Sequence, residues 1–204
     1  MMAHAQRKVL RKVFEYDQPP EVVWHALTDR RALAEWLMPN NFEPILGHEF
    51  MFKVDGFTKK MSGVTRCKVL ELEPLKHMVW SWAIEAVPGG KNLPPMQVSW
   101  DLEPTATGTR LIFQQTGLEA LPPFMRFSMK FGWGTMHKRW IRKVMARIRR
   151  KSDGSTSFTP GAFVLEKLCY KTRSINPEDN ITLAPTREQA ARINEHDNTP
   201  SQVG

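Results

Sequence analysis

Apolar and polar residues alternate along residues 9–16, 48–54, 64–73, 77–85, 96–103 and 109–117, the period of half-buried strands. Turn-formers punctuate the later stretches: Asp55-Gly56, Glu73-Pro74, Pro88-Gly89-Gly90 and Thr107-Gly108. Links that short join antiparallel neighbours. Between the first two stretches the period lengthens. Pro19 and Pro20 suit the opening of a helix in which Val23, Ala26 and Leu27 share a face. Thr28-Asp29 offers a cap for a second short helix bearing Leu33, Trp36 and Leu37, which Met38-Pro39 stops. After the last strand, Met125, Met129, Trp133, Met136, Trp140, Val144 and Ile148 recur at steps of three and four. That stripe predicts a helix reaching Arg150, about 38 Å long, with Gly132 and Gly134 marking a bend.

The alternation also assigns faces. Met78, Trp80, Trp82 and Ile84 share one side of their strand, Val98, Trp100 and Leu102 the next, Leu111 and Phe113 the last. Their alternates, among them Ser81, Ser99, Asp101, Arg110 and Gln114, are more polar. A sheet with three Trp on one face must be covered, and the long helix is the cover. The expected class is therefore α+β with a helix-grip architecture. A curved antiparallel sheet wraps a long C-terminal helix, and two short helices follow the first strand. The domain spans residues 8–150. A flexible serine-rich linker and a short apolar segment occupy 151–171, and a polar, disordered tail occupies 172–204.

Composition sharpens this picture in three places. Hydrophobic residues make up 41% of the 204, enough for a full core, and most aromatics lack a hydroxyl. Cys67 and Cys169 form no metal-binding or redox spacing, which fits a reducing compartment. The basic start has no apolar signal core, and no run of about 18 apolar residues exists, so the expectation is a cytoplasmic protein with no membrane span.

Several stretches resemble the START-like, or SRPBCC, superfamily, in its subfamily of activator of heat-shock protein 90 ATPase homologues. They are Pro20-Glu21-Val22-Val23-Trp24-His25-Ala26-Leu27-Thr28-Asp29, Leu33-Ala34-Glu35-Trp36-Leu37 and Gly47-His48-Glu49-Phe50. The pattern continues in Val69-Leu70-Glu71-Leu72-Glu73-Pro74, in Gly108-Thr109-Arg110-Leu111 and in Gly132-Trp133. The resemblance covers residues 8–148 and implies the helix-grip fold, which hosts carriers, cyclases and chaperone partners alike.

With that resemblance, the aromatic face reads as a cavity for a hydrophobic small molecule. It is lined by Met78, Trp80, Trp82, Val98, Trp100, Leu111, Phe113, Met129, Trp133 and Met136. The alternatives are an ordinary filled core with a chaperone-interacting surface, or a cyclase- or hydrolase-type enzyme using the same cavity. An enzyme needs a polar group among the aromatics, and Arg66, Glu71, Gln97 and Gln115 are the candidates. No nucleophile elbow, Cys–His arrangement or phosphate loop stands in the sequence, so no catalytic residue is assigned. Glu21, His25 and Asp29 at four-residue spacing read as a solvated helix face, so neither metal nor cofactor is expected.

The net charge of +8 is unevenly spread. Residues 138–151 alone carry eight Lys/Arg and no acid. Such a run suits nucleic acid, an anionic membrane surface or an acidic protein partner, against the solvated back of a helix whose C-terminus favours cations. No nucleic-acid module accompanies it, which leaves an acidic protein as the expected alternative to solvation.

Overall fold

Each alternating stretch is a strand. The computed structural model describes residues 9–54, 62–87, 90, 93 and 96–160. In chain order the elements are β1 (Leu10–Tyr16), α1 (Pro20–Thr28), α2 (Arg30–Trp36), β2 (Glu49–Lys53), β3 (Val64–Glu73), β4 (His77–Ile84), β5 (Met96–Thr105) and β6 (Gly108–Thr116). Then come a 3-10 turn (Leu118–Ala120), α3 (Pro123–Thr135), a π turn (Met136–Trp140), α4 (Ile141–Met145), β7 (Ile148–Arg150) and β8 (Thr156–Phe158). One antiparallel sheet of six strands has the order β1-β6-β5-β4-β3-β2. Its apolar face packs against the helices, the arrangement that the alternation required.

Local chemistry explains the boundaries. Pro20 opens α1, where the missing N–H would have had no partner anyway. Asp29 caps α2, accepting from the backbone N–H of Arg31 at 2.8 Å and of Ala32 at 3.0 Å. The β5–β6 turn lies so close to β1 that a Cβ on Gly108 would stand 2.0 Å from the Tyr16 carbonyl oxygen. Only glycine fits there.

A bulge in β3 decides which way its acids point. Val69 pairs with Trp80 but Glu71 pairs with Val79, so one extra residue shifts the alternation. Leu72 therefore lies opposite buried Met78, and Glu71 joins the outer face. An unbroken period of two had left that reversal invisible.

Three expectations are corrected here. The long helix ends at Met145, interrupted by the π turn, and Ile148 and Arg150 lie in a strand. The serine-rich stretch expected as a linker is the turn of the β7–β8 hairpin. Lys151 N–H donates to the Ser155 carbonyl, and Asp153 accepts from Ser155 N–H at 2.8 Å. Finally, the outer face of α1 is not solvated, because that hairpin covers it. His25 Nδ1 lies 2.7 Å from Thr156 Oγ1, and Glu21 accepts from Arg150 at 3.0 Å. The apolar segment and tail expected after residue 160 lie outside the described residues.

Candidate ligand site

The sheet's inner face is an array of rings in contact. Trp80 and Trp100 are 4.5 Å apart between centroids, Phe113 and Trp133 4.5 Å, Trp82 and Trp133 5.4 Å, Trp100 and Trp133 6.1 Å. Trp133 comes from α3 and the others from β4, β5 and β6, so the helix is seated by one indole. Met78, Val98, Leu111 and Met136 are also buried around this array, and Met129 is half-buried against it. The ten residues expected to line a cavity lie on this face or pack against it, where the rings are in contact with one another.

Two buried polar side chains run through the array. Trp100 Nε1–H donates to His137 Nε2 at 3.0 Å, which places the imidazole proton on Nδ1. That Nδ1–H donates to the Trp133 carbonyl oxygen at 2.9 Å, one turn earlier. Burial pushes the His137 pKa down to about 4, so the ring is neutral. Trp133 Nε1–H donates to Gln115 Oε1 at 2.8 Å, and the Gln115 amide faces Met96 Sδ at 3.7 Å. On β4 the pattern fails. Trp80 Nε1 and Trp82 Nε1 are both buried, and neither has a hydrogen-bond partner among the described residues.

Of the four polar residues considered for the interior, only Gln115 is there. Glu71, Arg66 and Gln97 sit on the outer face, Arg66 bound to Glu85 at 2.6 Å. His137 was missed because it stands directly before the basic run. Its spacing of four from Trp133 and three from Trp140, both core positions, was the available signal.

The outer face carries an open depression of about 260 Å³. At its edge His77 Nδ1 lies 2.5 Å from Asp101 Oδ1 and Nε2 lies 3.2 Å from Glu71 Oε2. Both imidazole nitrogens are occupied, so the group ties β3, β4 and β5 together. The basic run is also not one surface. Arg142 lies over the Tyr16 ring, Arg147 pairs with buried Glu35, Arg149 reaches the Ala146 carbonyl and Arg150 pairs with Glu21. Lys138, Arg139 and Lys143 have no acidic partner among the described residues. No helix among those residues is long and apolar enough to cross a membrane.

A six-stranded antiparallel sheet closed over a C-terminal helix, with an aromatic interior, defines a START-like helix-grip protein. The chain belongs to the family described as Activator of Hsp90 ATPase homolog 1-like protein, whose model matches residues 17–146. Among solved structures it is similar to protein MLL2253 from Mesorhizobium loti, at 29% identity over 66% of this chain and 95% of that one, with a TM-score of 0.56. Protein CV1439 from Chromobacterium violaceum shares the fold at 21% identity, covering 67% and 96%, TM-score 0.52. The Aha1 dimer from Colwellia psychrerythraea does so at 20% identity, covering 63% and 90%, TM-score 0.51. No curated protein matches the chain.

Proposed function

We propose that the chain binds a small, largely apolar molecule with a hydrogen-bond acceptor, between β4, β5 and α3. The observation that carries this reading is the pair of unpartnered indole N–H groups of Trp80 and Trp82. An orphaned buried donor costs about 1–3 kcal/mol, and two neighbours on one strand double that. The adjoining indoles of Trp100 and Trp133 each have a partner, so the sequence satisfies such donors where it can. An acceptor on a bound molecule satisfies the remaining two.

The rings already touch, so admission requires α3 to shift. Its seating suits that, because Trp133 is its one fully buried side chain and glycines stand on either side of it. Binding rather than turnover fits the groups available. Gln115 is neutral, and both nitrogens of His137 are engaged. The ligand is held by Met78, Trp80, Trp82, Val98, Trp100, Leu111, Phe113, Met129, Trp133 and Met136.

The test is a titration with a neutral hydrophobic dye such as Nile red, alongside native mass spectrometry of protein purified from its host. Saturable binding at one dye per chain is expected. Trp82→Phe, which keeps the ring and removes the donor, should weaken a co-purified acceptor-bearing molecule about tenfold. Absence of saturable binding, with no retained molecule, sinks the reading. It would leave contact with an Hsp90-type chaperone, the activity in the family's description, as the better account.

A further inference from the structure

α3 turns three phenylalanines outward. Phe124 is 79% exposed, Phe127 68% and Phe131 67%, more than any other large apolar side chain described. Steps of three and four place them on one side of the helix, a ridge about 10 Å long. They expose roughly 400 Å², as much as the largest apolar patch of an ordinary monomer.

The charged side chains of α3 and of the turn that follows it have one sign. Residues 123–140 hold Arg126, Lys130, Lys138 and Arg139 and no Asp/Glu. Arg126 and Lys130 flank the ridge on α3 itself. Lys12 of β1 reaches in alongside, and a Cβ on Gly134 would lie 3.2 Å from its Nζ. Partial burial first, then the nearby Lys130 and Lys138 ammoniums, lower the Lys12 pKa. No ion pair to Lys12, Arg126, Lys130 or Lys138 exists among the described residues.

We propose that this face of α3 is a docking surface for an anionic lipid bilayer, with Phe124, Phe127 and Phe131 inserted at the headgroup boundary and Lys12, Arg126, Lys130 and Lys138 against the headgroups. An amphipathic helix with aromatics between cations is built for that interface. The charge argues against the other occupants. A second copy would set like clusters against each other. Residues 161–204 carry five Lys/Arg against six Asp/Glu, an anionic surplus of only one. A protruding ridge, unlike a groove, also suits a deformable surface. The proposal stands whether or not the interior binds a ligand.

The experiment is flotation of the full chain with vesicles of phosphatidylcholine alone, or with about a third phosphatidylglycerol, at about 0.15 M salt. Wild type should float with the anionic vesicles and not the neutral ones. The combined variant F124S/F127S/F131S should lose at least about tenfold in partitioning, and so should K130E/K138E, with circular dichroism unchanged. The exposed positions keep both variants foldable. Failure of wild type to float, or flotation that survives loss of the phenylalanines, overturns the proposal. So does a concentration-dependent dimer that the phenylalanine variant dissolves while wild type ignores vesicles.

Discussion

Trp100 on β5 and His137 in the π turn meet side chain to side chain inside the core, indole N–H to imidazole nitrogen at 3.0 Å. The contact requires a neutral imidazole, since protonated Nε2 cannot accept.

That requirement sets the acid stability. An unfolded His137 takes up its proton near 6.5, whereas the folded one, desolvated, waits until about 4. Between those values the unfolded chain binds more protons, so stability is full above about 6.5 and falls as pH drops towards 4. The loss is on the order of 3 kcal/mol. His25, also held low first by burial, acts with the same sign. Urea unfolding at about pH 8 and about pH 4.5 should show His137→Gln losing less between the two than wild type does. Equal losses would place the acid sensitivity elsewhere.

Glu35 and Arg147 form an ion pair whose carboxylate is buried. The carboxylate is closed to water, and both of its oxygens accept from the guanidinium, which also lies over Phe158. Arg147→Met should therefore cost about 3 kcal/mol, the low end for a broken buried pair because Arg147 is partly exposed. Adding Glu35→Gln, which removes the buried charge, should restore part of it. Chemical denaturation of both variants checks the coupling, and simple additivity would show the pair to be independent.

Gly108 tests the close approach of β5–β6 to β1. Gly108→Ala forces a methyl against the Tyr16 carbonyl, where backbone rather than a flexible side chain must yield. About 3 kcal/mol of destabilisation is expected, a fall of roughly 6–12 °C in the thermal midpoint. An unchanged midpoint would show that the turn can back away.

Six strands, two short helices and the identity of the inner face were legible because alternation and helical stripes report burial directly. Trp82, Trp100 and Trp133 meet as their positions implied. What the periods could not carry were the events that break them. The extra residue in β3 turned Glu71 outward, and the π turn broke the long helix that the stripe implied. Phe124, Phe127 and Phe131 passed unnoticed because an outward Phe and an inward one look alike in a sequence. The hairpin after Arg147 was hidden for another reason: its turn is built from Ser, Asp and Gly, the same residues that make flexible linkers.

The hairpin yields the last prediction. Buried Phe158 on β8 carries Arg147 over its ring, and Thr156 reaches His25 on α1. Cutting the chain after Lys151 removes Phe158, uncovers part of α1 and takes the Thr159 carbonyl from Arg147. The loss of one buried phenylalanine alone is worth about 3 kcal/mol, so the midpoint should fall by roughly 6–12 °C. A cut after Thr172 spares all of those contacts and should leave the midpoint nearly unchanged. Thermal melts of the two truncations decide the domain's end. If the shorter chain melts like the longer one, the hairpin is an ornament on α1 rather than its cover. If both melt early, residues beyond Thr172 contribute to the fold.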